Sequence, residues 1–272
     1  MTTALVSTAV APLLAGPPRT GRVVAVTRHA LYVATGVPEL PALAVVTPDA
    51  VAVPCALVTA EAAGPPAGVR AGTVACFGAD GLTAGALRVT AGGPWTPPRV
   101  QGLLHDGVRT APFVELVDAT ALPLLPDIAR RAAEFAAALV TDDSSRLRAA
   151  ALALLGAGPG LTPSGDDVLC GTLLACHALG RAVPGALMAA AALAEERTPL
   201  VSAALVLHAV RGECVPQAAA LLRVLAAGHD AAPALRGLLA VGHHSGSDLS
   251  RGLALGLGAF TVRGTRSRPS HW

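Results

Sequence analysis

The chain has 272 residues, 53% of them hydrophobic, and its 20 Lys/Arg and 18 Asp/Glu side chains leave a net charge of +2. This is enough for one large domain or two small ones with real cores. With only 3% aromatic residues and no basic stripe, the chain lacks both the phosphate-binding surface and the stacking platforms of a nucleic-acid binder, and no nucleic acid is expected as a partner.

The mean hydropathy of +0.57 comes mostly from Ala and Val. No apolar run reaches the roughly 18 uninterrupted residues of a membrane span, so no membrane is expected. Every Lys/Arg position is Arg, which excludes Schiff-base chemistry and a Lys-bearing phosphate loop. The five Cys are odd in number and form no C-x-x-C pair, so neither a zinc site nor a disulfide framework is indicated; no metal is assigned, and no cofactor is specified.

The first residues, "MTTALVSTAVAPLLAGPPR", have an apolar middle without a preceding positive charge. No secretory signal is expected there, and the default compartment is the cytoplasm. From Gly21 to about Arg99, Val-rich runs such as "GRVVAVTRHALYVATG" and "ALAVVTPDAVAVPCALV" are punctuated by Gly and Pro and read as strands. From Leu124 onward, Ala/Leu-rich segments carry Arg and Glu at helical spacing, and nearly every one opens on Pro or closes on Gly.

The fold class expected is therefore α+β. A β-rich N-terminal part spans 1–121 and an α-helical bundle spans 122–262, with a disordered basic tail over 263–272.

The stretch "LLGAGPGLTPSGDDVLCG" carries the most chemistry. Gly160 and Gly165 have the spacing of a phosphate loop, but Asp166 stands where that loop needs Lys, and an acid beside a polyphosphate is repulsive. What remains is a loop entering a helix, where backbone N–H groups lack partners and the macrodipole is positive. Ser164 and Asp167 form an S-x-x-D capping box, so Ser164, Asp166 and Asp167 have a structural reading as helix starters.

An echo argues for more. "SGDDVLCG" from Ser164 and "SGSDLSRG" from Ser245 share Ser, Gly, Asp, an aliphatic residue and a second Gly at identical offsets. A Gly inside a helix costs about 1 kcal/mol relative to Ala, so Gly171 and Gly252 require a reason, which a close crossing of two helices supplies. If the helices cross near their starts, both loops open on one concavity, with Asp167 and Asp248 on the same side. A third start, "TPLVSAALVLHA", places Thr198 to cap and Pro199 at the first helical position. Ser202 follows one turn later, either bonding back to its own helix or lining the same concavity. His243 and His244 precede Ser245, where an imidazole could exchange a proton with a leaving nitrogen.

The motif "GAGPGLTPSGDDVLCG" resembles the G-x-G-P-G-L-T-P-S-G-D-D signature of a bacterial family that includes the AllH-type subunit of oxamate carbamoyltransferase. "TPLVSAALVLHAVRGE" and "VGHHSGSDLSRGL" are similar to two further segments of that family. The likeness covers Leu154 to about Phe260, with a similar layout before it.

The resemblance implies a carbamoyltransferase subunit of allantoin breakdown. It would convert oxalurate and phosphate to oxamate and carbamoyl phosphate beside an FdrA-like and a further partner subunit. On that reading Asp166, Asp167, His243 and Asp248 are the catalytic candidates. Gly158, Gly160, Thr162, Ser164, Gly165, Thr198, Ser202, Ser245 and Gly246 would bind the small anionic substrate, with Arg197 or Arg251 on its carboxylate. Two other readings stand beside it: a non-catalytic ligand-binding or assembly subunit, and a stand-alone ureido-acid hydrolase.

Overall fold

The computed structural model describes residues 2–105, 108–141 and 143–266, with side chains to residue 260. Its strands come first and its helices second, as an α+β chain requires.

Eight strands close into a barrel in the order β1-β5-β4-β3-β2-β6-β7-β8. They are β1 (Thr2–Ser7), β2 (Arg19–Val26), β3 (Ala30–Ala34), β4 (Ala42–Val46), β5 (Ala56–Thr59), β6 (Val74–Gly78), β7 (Gly81–Ala84) and β8 (Leu87–Trp95), with a short helix α1 (Ala11–Ala15) after β1. Most neighbours are antiparallel; β4 with β5 and β1 with β8 are parallel, and the β1–β8 pair closes the ring. Closure leaves no sheet edge with unpaired backbone groups.

Strand β1 lies ahead of the first segment expected to be extended. Along β6 buried and exposed residues alternate, as one inward face demands, whereas all five residues of β4 are buried. The second face of β4 is covered because it meets a helix of the following part.

That part contains α2 (Ala111–Thr120), α3 (Pro126–Leu139), α4 (Ser144–Leu154), α5 (Ser164–Ala178), α6 (Gly185–Ala191), α7 (Ala194–Arg197), α8 (Leu200–Val210), α9 (Pro216–Ala226), α10 (Ala232–Leu239) and α11 (Ser245–Arg266). Helices α2, α3, α9 and α10 each open with Pro in the first turn, where its missing N–H costs nothing. Asp143 caps α4, accepting from the N–H groups of Ser145 at 3.0 Å and Arg146 at 2.9 Å.

The last strand ends at Trp95, so the change from strand to helix falls ahead of residue 121. At the other end α11 continues to Arg266, and residues 267–272 of the expected tail lie outside the described residues.

Each part has its own apolar core, and Leu205 of α8 and Val215 pack against both. At the centre of the helical part is α5, buried along nearly its whole length rather than on one stripe. It crosses α11 at two glycines. A Cβ on Gly171 would stand 2.3 Å from the carbonyl oxygen of Leu249, and one on Gly252 would stand 2.2 Å from that of Val168. Thr172 spans the crossing, its hydroxyl donating to Val168 O at 3.0 Å and to Gly252 O at 3.2 Å.

Candidate functional site

The contacts around the crossing are nearly reciprocal. The residue pairs Val168/Leu249 and Gly171/Gly252 exchange roles across it. The helix starts repeat this one turn earlier: Gly165 fits against the Leu154 carbonyl at the end of α4, and Gly246 against the Leu238 carbonyl at the end of α10. The α4–α5 and α10–α11 units thus repeat one set of close approaches on the two sides of the crossing. The sequence echo is the trace of that pairing.

The pairing brings the two loops together. The hydroxyls of Thr162 and Ser245 are 2.9 Å apart, and Asp167 and Asp248 are close enough that the charge on Asp248 raises the carboxyl of Asp167.

The expected caps are rearranged. The N-cap of α5 is Pro163, with Ser164 already inside the helix, and the N-cap of α8 is Pro199 rather than Thr198. The freed hydroxyls serve other helices. That of Ser164 supports Asp248, and that of Ser245 supports Asp167. A hydroxyl spent on a neighbouring helix's acid satisfies a deeper group than a cap would.

Asp166 and Asp167, adjacent in sequence, have opposite surroundings because successive helical residues point about 100° apart. Asp166 is fully buried and saturated: Oδ1 accepts from the Gly156 N–H at 2.7 Å, and Oδ2 accepts from the hydroxyls of Ser202, at 2.7 Å, and Thr198. Burial raises its pKa, against the pull of these donors. It ties the glycine loop to the start of α8. Ser202 therefore donates to Asp166 instead of back to its own helix, and it is not among the residues that line the cavity between the barrel and the helices.

Asp167, 7% exposed, has an oxygen, Oδ2, with no hydrogen-bond partner. Burial holds its pKa well above the usual carboxylate range; the Ser245 hydroxyl opposes this, and the charges of Asp248 and Asp166 add to it. Asp248 is 3% exposed, and its pKa too is raised by burial, against the Ser164 hydroxyl, His244 and Arg251.

Asp167 faces a cavity of about 260 Å³ between the barrel and the helices. The barrel contributes Thr27, His29, Tyr32, Val46 and Val53, and the helical part contributes Thr162, Cys170, Val201, Leu205, Val215 and Ser245. Burial drives the Cys170 thiol far above its ordinary pKa, with the charges of Asp167 and Asp166 adding, so it offers no thiolate nucleophile.

Glu213 also lines the cavity. Its carboxylate meets His208 Nδ1 at 2.7 Å and Arg99 at 2.7 Å, with Arg211 at 3.5 Å. Burial alone would raise its pKa, but these partners win and hold it at about 2. His208 is held below its usual value, first by burial. Both groups bind more protons unfolded than folded, so both make the fold lose stability as pH falls: His208 below about 6.5, and Glu213 from about 4.5 down to about 2. Glu213 contributes about 3 kcal/mol of this. Urea titrations across pH 2–6 should show a flatter acid limb for Glu213→Gln than for the unaltered chain.

The other predicted residues lie elsewhere. Gly158 and Gly160 are exposed and take positive φ, 122° and 92°, so they shape the loop rather than the cavity wall. His243 is exposed, its ring beside that of His244 at 4.9 Å, and it does not line the cavity. Arg251 is used at α2, where its guanidinium donates to Leu122 O at 2.8 Å and Ala121 O at 2.9 Å, and Arg197 is exposed. Glu213, His208 and His29 were missed as site residues. The nearest signal was an acid following an apolar helix in "LHAVRGEC".

Among the described residues, no group of three His, Cys, Asp or Glu side chains is disposed to hold a metal ion. No helix among them is long and apolar enough to cross a membrane.

Fold and site together set a carboxyl at a paired helix start against a cavity walled on its other side by a barrel. The family model described as "Oxamate carbamoyltransferase subunit AllH" matches residues 154–257, from the end of α4 into α11, and over this segment the chain is similar to that family. No curated protein and no solved structure matches the chain.

Proposed function

We propose that the chain is the subunit of an oxamate carbamoyltransferase-like complex that holds the carbamoyl group during transfer. The observation that carries this reading is Asp167, a residue that lines the cavity and keeps a buried, unpartnered carboxyl oxygen, within the segment matched by the family model.

In the reaction, a phosphate oxygen attacks the ureido carbonyl carbon of oxalurate and the C–N bond to the oxamate nitrogen breaks. The proton lost by hydrogen phosphate ends on that nitrogen, giving oxamate and carbamoyl phosphate. A carboxyl kept protonated by burial can donate to the departing nitrogen and be recharged from the phosphate side. Ser245 and Thr162 orient that carboxyl, Asp248 raises its proton affinity, and Asp166 fixes the loop from behind. An FdrA-like subunit and a further partner complete the assembly, in allantoin and purine nitrogen catabolism in the cytoplasm.

The test is reconstitution with the partner subunits. Phosphate-dependent loss of oxalurate with formation of carbamoyl phosphate is expected, falling to background when this chain is left out. Turnover by the chain alone without phosphate would instead establish a ureido-acid hydrolase. Complex activity indifferent to Asp167→Ala and Asp248→Ala together would assign it an assembly role.

A further inference from the structure

The lining of the cavity is at odds with a fully anionic ligand. Although the chain carries 20 Arg, none is among the described residues around the cavity. Glu213, whose pKa is held low, already has its carboxylate taken up by Arg99 and His208. What the wall offers is hydroxyls at Thr27, Tyr32, Thr162 and Ser245, the His29 imidazole, the Asp167 carboxyl, and an otherwise mainly apolar surface. Moving a carboxylate or phosphate into such a space strips its hydration with no guanidinium in the wall to offset the loss, and it would stand near Glu213.

We infer that the cavity receives the uncharged, N–H-bearing end of a small ligand, a primary amide or ureido group, and leaves any carboxylate or phosphate outside. The inference rests on the carbamoyl-holding reading above and specifies which end of the substrate enters. An un-ionised carboxyl matches an amide in two bonds: the acid O–H donates to the amide oxygen, and the acid carbonyl accepts an amide N–H. The Asp167 Oδ2, a buried and unpartnered oxygen of a residue that lines the cavity, is the atom such a pair would satisfy, with the Ser245 and Thr162 hydroxyls placed for a second N–H. Burial, which disfavours ionisation of Asp167, keeps it in the form this pairing needs. The anionic end would then lie at the mouth, where its cation has to come from another subunit.

The probe is biuret, a neutral molecule with ureido ends, titrated calorimetrically into the full chain against inorganic phosphate and oxamate. Saturable biuret binding is expected, with methyl NMR shifts at Val201 and Val215. Asp167→Leu, branched at the same atom but without the carboxyl, should weaken it by about tenfold, the loss of one or two such hydrogen bonds. Phosphate should not displace biuret. The inference is overturned if biuret does not bind, if it shifts methyls away from the cavity, if Asp167→Leu leaves its affinity unchanged, or if phosphate competes with it. Should Asp167→Leu fail to fold, the methyl shifts and phosphate competition in the unaltered chain decide. These outcomes are independent of the reconstituted phosphorolysis: phosphorolysis without biuret binding would remove this inference alone, and biuret binding without phosphorolysis would remove only the carbamoyltransferase reading.

Discussion

Gly171→Ala and Gly252→Ala are each expected to destabilise the chain by about 3 kcal/mol, at the upper end of overpacking costs. The added methyl at either position meets backbone, not a side chain that could rotate away: Leu249 O at 2.3 Å and Leu253 N at 2.6 Å for Gly171, and Val168 O at 2.2 Å for Gly252. Relief requires the two helices to separate, and α5 is the most enclosed helix of the part. Against this, Ala has the better helix propensity by about 1 kcal/mol, so the net loss measured is already reduced by that amount. Because the two sites share one crossing, they should not be additive: once the first methyl has parted the helices, the second costs less. Thermal melting of the two single variants and the double variant tests this. Drops of roughly 6–12 °C are expected for the singles, at about 2–4 °C per kcal/mol. A double variant that melts lower by the full sum of the singles would mean that the two contacts are independent and that no common crossing exists.

That crossing was legible in the sequence because it left a repeated mark: Ser, Gly, Asp and Gly at the same offsets in α5 and α11. Repetition carries information that a single cap does not, since both copies must satisfy the same close approach. The β-rich and helical halves were legible for a local reason, the change from Val-rich runs to Ala/Leu periodicity. Barrel closure was not. It depends on β1 pairing with β8, where Ala4 meets Ala91, and nothing in either strand's own pattern names a partner so far along the chain.

The caps were misassigned for a related reason. Ser164 and Thr198 have the right spacing for capping, but each hydroxyl found a buried acid on another helix, and only the tertiary arrangement brings that acid within reach. The two acids of the "GDD" motif were indistinguishable on paper. Their separation into Asp166, surrounded by three donors, and Asp167, with one oxygen unpartnered, follows from which side of α5 meets α8 and which meets the cavity. Glu213 escaped notice because its importance comes from Arg99, more than a hundred residues away.

Asp167→Asn is expected to separate function from stability. Its pKa is raised in the folded chain, so between the ordinary carboxylate value and the raised one the native state binds more protons than the unfolded state, and stability falls as pH rises. Asn carries no such charge. At neutral pH the variant should therefore be more stable than the unaltered chain, by an amount on the order of 1 kcal/mol, and the decline of the melting temperature from acid to neutral pH should be flattened. An Asn amide still fills the site and still offers one donor and one acceptor face, so ligand affinity should change little. What it cannot do is transfer a proton. Phosphate-dependent oxalurate cleavage by the reconstituted complex should fall by about 10²-fold in kcat with little change in KM, the size expected for loss of a general acid. A purely positioning Asp167 would instead raise KM and leave kcat nearly intact. A purely structural one would lower the melting temperature along with activity. Only a carboxyl held protonated against its own stability, because the reaction uses that proton, combines a higher melting temperature with a lower kcat.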